Sequence, residues 1–505
     1  MLLCSCLALS AAYLFGDLSK HDWAFDDEDY IANAVKAQEN FTYVFSADKP
    51  WAQRPVVHIY FWLVQPYFES DPGLYHLTNV CIHVVNAILL SVAMHLLLQN
   101  FAIASIAGIL FLINVNQLRA VFWISGVPYL IGATLGLLSI ITLINYLQNK
   151  TRFSAVASVL LFIGSIHAHE GAASFIAIIF SIVYRSQTER LRILAPCSLG
   201  LFLLLIESRY YYSTPLSDGQ VDYHIGWNIA ETLPRQIFTL FSSSHYDSWL
   251  IIPDVSWQIG LGLLFLALLA AVGLRKPHLR HTWLWTVIFL LPYTPFTNAE
   301  EISRYYYLPS LISTGIITLA IKKIGDTLSE KVGIRWLGGS WLASTTGAIF
   351  VLSASQVDCR QAVQLSYSAL YLQQHGKFQR ALIQYDSIEN LCSESPYTPR
   401  WQYNAALCAA NIGQNDKAVQ QLMQLVQHFP NYSSPYPVLL ELICRKKGVN
   451  LHLDTAGRPV NEQNVKQAIK DAARTAVADG RKQDVQTLAR LYGHFFELPK
   501  ADNTH

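Results

Sequence analysis

The sequence predicts an all-helical protein in which a polytopic membrane domain is followed by a soluble helical domain. Hydrophobic residues make up 52% of its 505 residues and charged residues only 14%, whereas soluble domains carry about 25% charged residues. The long apolar runs lie almost entirely in residues 1–355, and residues 356–505 have a soluble composition. We therefore expect a membrane domain over residues 1–355 and a smaller helical repeat domain over residues 356–500.

About eleven apolar segments are long enough, or nearly long enough, to cross a membrane as helices. The first segment lacks a charged start and a small-residue cleavage site, so we interpret it as a membrane helix and not as a cleaved signal peptide. The predicted spans are roughly 1–16, 74–98, 101–116, 124–147, 153–168, 170–184, 192–208, 257–274, 282–296, 305–321 and 336–354.

The distribution of basic residues among the short loops predicts the orientation of these helices. With the N-terminus in the cytoplasm, the short outer loops hold only Arg119 and Arg304. The short inner loops hold Lys150, Arg152, Arg185, Arg190, Arg192, Arg275, Lys276, Arg280, Lys322, Lys323, Lys331 and Arg335. Because short cytoplasmic loops are enriched in Lys and Arg, residues 209–256 and the C-terminal domain are predicted to lie on the outer face, in a periplasm or an organelle lumen.

Four carboxylates follow the first predicted span, in Asp26-Asp27-Glu28-Asp29. Acidic groups held at a membrane surface are costly unless they are solvated, paired or used, so this cluster indicates an enzyme before a channel or a scaffold. The Asp-Glu-Asp spelling is typical of metal sites in soluble nucleotide-sugar enzymes, a different class, and carries little weight. A divalent metal is left open as a cofactor, and no other cofactor is predicted.

Two histidines of the second predicted span are candidate site residues. His76 and His83 share one helix face with Asn79 and Asn86, because residues three and four apart lie one above the other. Polar residues on one face of a membrane helix point inward. We weigh a role in a substrate site equally with hydrogen bonding between helices.

Further candidates lie in the other predicted outer turns and loops. Glu170 opens a helix and is a candidate functional acid. With His167 and His169 it would supply three metal ligands, but ligands so close on one turn rarely converge on one ion. Arg209 begins the outer loop 209–256, which is too long for a simple connector and is a candidate substrate-covering loop.

The composition excludes several functional classes. There is no basic run of the kind that nucleic-acid-binding proteins carry, so no nucleic acid is expected as a partner. Ser–His–Asp constellations, phosphate-binding loops and dinucleotide fingerprints are also missing from the sequence. Carboxylates and an arginine on one face of a membrane protein fit sugar transfer from a lipid-linked donor. That reaction needs a base near the acceptor and a cation near the leaving phosphate.

Residues beyond 355 contain a helical repeat. Gly376 precedes Ala381 by five residues, and Gly413 precedes Ala418 by the same spacing. The two glycines are 37 residues apart, close to the period of about 34 residues in tetratricopeptide repeats. Because two repeats alone are marginal, we expect further helices at about 435–446, 461–479 and 481–496.

The eight cysteines are divided between the two predicted domains. Four lie in or beside apolar runs, where a free cysteine behaves as a small hydrophobic residue. If the C-terminal domain is extracytoplasmic, Cys359 and Cys392 can pair, although the sequence does not determine the connectivity.

Six motifs occur in a fixed order. They are Asp26-Asp27-x-x-Tyr30, Arg54-Pro55, Tyr75-His76-x-x-Asn79-x-x-x-His83, Ala120-Val121-x-Trp123, Glu170, and Arg304-Tyr305-x-Tyr307-Leu308-Pro309. In this order the chain resembles the GT-C class of polytopic membrane glycosyltransferases, and within it the O-mannosyltransferases with tetratricopeptide repeats and their bacterial counterparts. One departure is Leu118-Arg119, which replaces the usual charged residue before the Ala-Val-x-Trp turn.

The resemblance implies an inverting transfer of a hexose, of the mannosyl type, from a polyprenyl- or dolichyl-phosphate donor. It implies catalytic roles for Asp26 and Asp27 and contact between Arg304 and the donor phosphate. The further substrate-site candidates are Tyr30, Arg54, His76, His83, Glu170 and Arg209. The acceptor would be a protein or a glycan, docked by the repeat domain, and membrane lipid surrounds the other domain.

Other interpretations remain open. A ligase or polymerase that transfers a whole glycan from a lipid carrier is the alternative among enzymes. A transporter of lipid-linked sugars would place polar residues deep in mid-helix, and a scaffold would tolerate neutralisation of the acidic cluster. The expected location is the bacterial inner membrane with a periplasmic C-terminal domain, or the endoplasmic reticulum membrane with a luminal one.

Overall fold

Every regular element that the structure describes is an α-helix or a 3-10 helix, which confirms the all-helical prediction. The chain divides into two compact units, residues 1–360 and 361–505. The predicted boundary at residue 355 lies in the same long helix, Leu337–Gln374, as this division. The computed structural model describes residues 2–15, 21–24, 26–46, 54–114, 117–184, 187–211, 226–242, 255–275, 281–295, 303–332, 337–392, 398–432, 434–452 and 459–496.

The first unit contains helices that follow the predicted apolar segments and others that lie between those segments. They are α1 (Leu2–Phe15), α2 (Asp27–Glu39), α3 (Pro55–Phe68), α4 (Pro72–Leu98), α5 (Phe101–Leu112), α6 (Leu118–Phe122), α7 (Val127–Asn149), α8 (Arg152–Ala168), α9 (Phe175–Val183), α10 (Gln187–Tyr211), α11 (Asn228–Ser242), α12 (Val255–Arg275), α13 (Thr282–Leu290), α14 (Tyr307–Val332) and α15 (Leu337–Gln374). Short 3-10 turns at Phe41–Phe45, Ile124–Gly126, Glu170–Ser174, Leu291–Tyr293 and Ser303–Tyr306 connect or extend them.

Four helical stretches in the described residues are long and apolar enough to cross a membrane: Pro72–Leu98, Ile124–Asn149, Ser256–Arg275 and Arg304–Thr327. This is consistent with a membrane protein. Shorter apolar helices occupy six other predicted spans, at Leu3–Phe15, Phe101–Leu112, Arg152–Ala168, Glu170–Val183, Leu191–Leu204 and Thr282–Tyr293. A helix of 10–17 residues does not reach the about 20 residues that a simple crossing needs, so the count of eleven spans stays a prediction.

The segment between α1 and α4 contains more helix than the sequence suggested. The first of its helices is α2, which begins at Asp27, because three acidic residues in the first turn interact favourably with the helix N-terminus. It ends before Asn40, whose extended backbone separates it from the 3-10 turn Phe41–Phe45. A second helix, α3, begins with a proline at its first position, where the missing N–H costs nothing.

The polar face of α4 packs into the helix bundle. Asn79 Nδ2 donates to the carbonyl of Trp123 at 2.7 Å, and Asn86 Nδ2 donates to the Tyr307 hydroxyl at 3.0 Å. Both ring nitrogens of His83 are engaged, by the same hydroxyl at 2.9 Å and by a backbone carbonyl of α5 at 3.1 Å. Three of the four polar residues on this face therefore hold helices together, which is the simpler of the two interpretations.

The second unit is a succession of helices, each in contact with the next. Gly376 and Gly413 have φ angles of 72° and 82°, a left-handed conformation that suits glycine after a helix end. The three helices expected in the last part of the chain occur within a residue or two of their predicted bounds. The helices are α16 (Phe378–Leu391), α17 (Thr398–Asn411), α18 (Asn415–His428), α19 (Pro435–Lys446), α20 (Glu462–Ala478) and α21 (Lys482–Phe496).

The cysteines are of two kinds, disulfide-bonded and free. Cys359 and Cys392 are disulfide-bonded. The other six cysteines are free, and Cys197, Cys408 and Cys444 are buried among apolar side chains. Burial of a free thiol in such surroundings indicates a packing role.

Candidate functional site

Asp27 anchors the acidic segment from the inside. Its side chain is fully buried, and Oδ2 accepts a hydrogen bond from the Ala24 backbone N–H at 2.9 Å. Oδ1 accepts from the backbone N–H of Ser125 at 2.8 Å and from its hydroxyl at 2.5 Å. Burial, and then the charge of Asp26, raise the pKa of Asp27 above its usual range, while these donors oppose the rise. With both oxygens engaged, Asp27 positions the segment.

The turn before α7 is shaped to supply those donors. Gly126 lies so close to α6 that a Cβ there would be 2.1 Å from the Ala120 carbonyl oxygen, so only glycine fits. Trp123, three residues earlier, donates from Nε1 to the Ala24 carbonyl at 3.3 Å. This turn and the acidic segment are therefore joined at Ala24 and at Asp27.

Asp26 differs from Asp27 in its burial and in its hydrogen bonds. It is half-buried, and Oδ1 is buried with no hydrogen-bond partner among the residues that the structure describes. Although it occupies the N-cap position of α2, its side chain makes no capping hydrogen bond. Burial raises the pKa of Asp26 to about 6, and the charges of Arg304 and Arg54 limit that rise. The result is a carboxylate with a free oxygen and a pKa near neutrality, as a general base requires.

Arg54 and Glu170 form a forked ion pair across the site. Nε of Arg54 donates to Oε2 of Glu170 at 3.0 Å, and Nη2 donates to Oε1 at 2.6 Å. Arg54 also hydrogen-bonds Tyr30, a buried residue whose ring stacks on Phe61 with centroids 4.8 Å apart. Because bidentate pairs are geometrically fixed, Arg54 joins α3, α2 and the turn after α8.

Arg304 is the second cation of the site. Its guanidinium carbon lies 4.7 Å from the ring centroid of Trp123 and 5.0 Å from that of Tyr305, within cation–π range. Nη2 donates to the Tyr305 hydroxyl at 3.1 Å. None of the ion pairs found among the described residues includes Arg304. Two aromatic faces therefore hold a positive charge in place without neutralising it.

An aromatic cluster adjoins Arg304. We use this name for His169, Tyr129, Tyr305 and Tyr293, which lie at ends of α8, α7, α14 and α13. Ring centroids are 3.9 Å apart for His169 and Tyr129, 5.9 Å for Tyr129 and Tyr305, and 5.0 Å for Tyr305 and Tyr293. The sequence did not identify Tyr129, Tyr293 and Ser125 as site residues. The available signal was the enrichment of aromatic residues at span ends, which does not tell which of them meet.

Two of the predicted site residues, His76 and His83, make their described contacts away from the charged group. His76 is buried with its ring centroid 5.8 Å from that of His21. His83 lies on the packing face of α4, where both of its ring nitrogens are hydrogen-bonded to other helices, and its role in a substrate site stays a prediction. Arg209 lies near the end of α10, and its side chain is outside the described residues.

Metal binding gains no support from the described residues. Among them, no group of three or more His, Cys, Asp or Glu side chains is placed to hold a metal ion. His167 Nδ1 lies 2.8 Å from the Ile163 carbonyl of its own helix. His169 Nδ1 accepts a hydrogen bond from the Gly171 N–H at 3.0 Å. The two histidines are therefore used separately.

The charged side chains of this site come from widely separated parts of the sequence. Asp26 supplies a carboxylate oxygen without a hydrogen-bond partner among the described residues, and Arg304 supplies a guanidinium that is in none of the described ion pairs, while Arg54 and Glu170 neutralise each other. No protein-family model matches the chain, and no curated protein and no solved structure is similar to it.

Proposed function

We propose that this chain is a membrane glycosyltransferase of the GT-C class. It transfers a sugar, a hexose of the mannosyl type, from a polyprenyl- or dolichyl-phosphate donor to an extracytoplasmic acceptor. The observation that carries the proposal is the presence in one site of two groups: the buried Oδ1 of Asp26, which has no hydrogen-bond partner among the described residues, and the guanidinium of Arg304, which is in none of the described ion pairs. They are close enough that Arg304 is the largest charge lowering the pKa of Asp26.

The reaction follows from these two groups. The acceptor hydroxyl oxygen attacks the anomeric carbon of the sugar, and its proton passes to Oδ1 of Asp26. The bond from the anomeric carbon to the phosphate oxygen breaks, and its electron pair stays on that oxygen. Arg304 stabilises the phosphate as this charge develops, by a forked pair of hydrogen bonds. A single displacement inverts the anomeric centre.

The neighbouring residues position these two groups. Asp27 fixes the acidic segment through Ser125 and Ala24. Arg54, clamped by Glu170, keeps a second positive charge near Asp26, and thereby favours the ionised form of the base. This division assigns proton transfer to Asp26 alone, in place of the two catalytic carboxylates that the resemblance implies.

The second unit would dock the acceptor, with a protein favoured over a glycan. Its successive helices, with left-handed glycines between them, support a repeat of the tetratricopeptide type. A groove of about 860 Å³ lies among α18, α19, α20 and α21. The groove is lined by polar and apolar side chains, including Gln420, Met423 and Gln424, which suits an extended polypeptide.

The proposed orientation places this unit outside the cytoplasm, with about eleven spans in the first unit. The positive-inside distribution of Lys and Arg supports it. The disulfide of Cys359 and Cys392 also supports it, because disulfides persist in oxidising compartments. We propose the bacterial inner membrane and a periplasmic second unit, with the endoplasmic reticulum and its lumen as the alternative.

Transfer measured with the purified full-length protein tests this function. The donors are polyprenyl-phosphate hexoses, and the acceptors are Ser- and Thr-containing peptides. We expect Asp26→Asn to abolish transfer, whereas Asp29→Asn, which removes an exposed carboxylate three residues away, retains it. Transfer by Asp26→Asn at the wild-type rate contradicts the assignment. Mass spectrometry of co-purified lipid should show a polyprenyl phosphate that Arg304→Ala loses.

A further inference from the structure

Two polar atoms of the aromatic cluster are buried without a hydrogen-bond partner. His169 and Tyr293 are only 1% and 3% exposed. Nε2 of His169 and the hydroxyl of Tyr293 have no partner among the described residues. Because buried polar side-chain atoms in proteins are almost always hydrogen-bonded, two such exceptions in one cluster indicate a place for something that binds there.

The hydrogen-bonding roles of both atoms can be assigned. Nδ1 of His169 accepts a hydrogen bond from the Gly171 N–H, so the proton of the neutral ring resides on Nε2, which is a donor. The Tyr293 hydroxyl can donate and accept. A Cβ on Gly171 would lie 2.0 Å from the Tyr293 hydroxyl oxygen, so glycine at this position leaves room for the hydroxyl.

The rings carry these two atoms on a continuous aromatic surface. Tyr293 and Tyr305 stack with an interplanar angle of 12°, and Tyr129 joins Tyr305 to His169. The His169 and Tyr293 centroids are 6.4 Å apart, which closes the cluster. Flat apolar faces beside a few polar atoms suit a ligand with C–H faces and hydroxyl groups.

The charge distribution separates this place from the phosphate position. The unpaired groups of the cluster are a neutral imidazole N–H and a phenol, which carry no positive charge to balance a phosphate and can hydrogen-bond a neutral hydroxyl. The free positive charge of Arg304 lies against Tyr305, at the edge of the same cluster. A molecule with a phosphate next to a polyhydroxylated ring can satisfy both.

We propose that His169 and Tyr293 form a sugar subsite, in which Nε2 of His169 and the Tyr293 hydroxyl bind a hydroxyl group of a pyranose packed against the aromatic cluster. The assignment of that pyranose to the lipid-linked donor rests on the proposed function. The same chemistry would serve a sugar on the acceptor, and ordered water is the competing occupant.

Equilibrium binding to the full-length protein in lipid nanodiscs tests the subsite. The probes are polyprenyl phosphate, the same lipid phosphate carrying a hexose, and a panel of methyl hexopyranosides. Tyr293→Phe removes only the hydroxyl. His169→Asn keeps an acceptor for the Gly171 N–H and removes the ring N–H. The matched control is Tyr146→Phe, which alters a buried tyrosine near the other end of α7.

We expect Tyr293→Phe and His169→Asn each to weaken binding of the hexose-bearing lipid by about 2- to 10-fold, the loss of one hydrogen bond. Affinity for polyprenyl phosphate alone should stay unchanged, and Tyr146→Phe should affect neither. If only the methyl hexopyranosides lose affinity, the subsite holds and belongs to the acceptor.

Two results overturn the subsite. Unchanged affinity of both variants for every sugar probe means that water occupies the place, and equal losses for the lipid phosphate with and without hexose mean a structural role. Failure of the proposed function has a different signature. In that case the glycosides still bind and lose affinity in both variants, while neither lipid phosphate binds to the wild type. If no sugar probe binds at all, the subsite is wrong regardless of the lipid result.

Discussion

Arg54 holds the carboxylate of Glu170 by two hydrogen bonds, from Nε at 3.0 Å and from Nη2 at 2.6 Å. The two residues are 116 positions apart in the sequence, and the pair links the segment after α2 to the turn that follows α8. Its side chains are 12% and 42% exposed, so it lies between a solvated and a buried ion pair. This clamp neutralises Arg54, whereas Arg304 is in none of the ion pairs found among the described residues.

Glu170→Gln and Arg54→Gln should each lower stability and transfer, and their effects should not add. Each single change leaves one partly buried group without its partner, at a cost of about 1–3 kcal/mol, between the surface and buried limits. The double variant should be no less stable than the worse single variant. Thermal unfolding in detergent measures this cycle. Glu441→Gln, at the exposed Arg445–Glu441 pair, is the control and should cost less than about 0.5 kcal/mol. Additive losses would show that the pair is not coupled.

Transfer should depend on pH through Asp26. Since burial raises the pKa of Asp26 to about 6, the base is ionised above that pH and protonated below it. We expect kcat/KM to be level above pH 6 and to fall about tenfold per unit below it. Arg304 favours the carboxylate, so Arg304→Gln should move this acid limb to higher pH. The negative charge of Asp29 disfavours the ionised form of Asp26, so Asp29→Asn should move the acid limb slightly to lower pH. An acid limb that is the same in both variants would exclude Asp26 as its origin.

Asp26→Asn should be inactive yet at least as stable as the wild type near neutral pH. A carboxyl whose folded pKa is raised binds its proton more tightly in the folded state. Its contribution to stability therefore falls as pH rises from about 4 to about 6, and a neutral amide avoids that loss. Unfolding temperatures at pH 5 and pH 7.5 measure the effect, which should be larger at the higher pH. A lower unfolding temperature for Asp26→Asn at pH 7.5 would indicate a structural role.

Asp27 should behave as a positioning residue. Asp27→Ala leaves the three donors from Ala24 and Ser125 without an acceptor, and should cost about 2–4 kcal/mol. Asp27→Asn keeps the shape and one acceptor oxygen, and Ser125→Ala removes one hydrogen bond, so each should cost less. Asp27→Asn should retain part of the transfer activity that Asp26→Asn loses entirely. Full stability with no transfer in Asp27→Asn would instead make Asp27 the base.

Arg304 should act on the donor and should not be replaceable by lysine. Arg304→Ala removes the cation beside the leaving phosphate and should lower kcat/KM for the donor by about 10²- to 10³-fold, as for other groups that stabilise developing charge. Arg304→Lys keeps a charge but loses the forked geometry and the planar contact with Trp123, so an intermediate loss is expected. Arg152→Ala, at an exposed helix start, is the control. Equal effects on donor and acceptor affinities would favour a structural role.

Predictions from the sequence match the structure best for features that depend on short stretches of the chain. Apolar runs predicted the positions of the helices, and the glycine spacing predicted the helix ends at Gly376 and Gly413. Residue type and place in the chain identify the acidic stretch, Glu170 and Arg304 as site candidates, and the resemblance to GT-C enzymes adds Arg54. Position along the sequence could not decide the role of His83, because its spacing on α4 is the same whether that face binds a substrate or another helix.

The amino-acid sequence was sufficient to predict most of the helices, the apolar composition of the first unit, the more polar composition of the second unit and the residue types of the site. Those features depend on composition and on periodicities of a few residues, which act locally. The three-dimensional packing of the helices was needed to show that both oxygens of Asp27 accept hydrogen bonds, whereas Oδ1 of Asp26 has no partner among the described residues. It was also needed to show that Glu170 forms its ion pair with Arg54 and not with Arg304, and that the ring of Tyr293 lies beside that of His169. Such pairings join residues about a hundred positions apart, and they depend on how all the helices pack together, which no local pattern specifies.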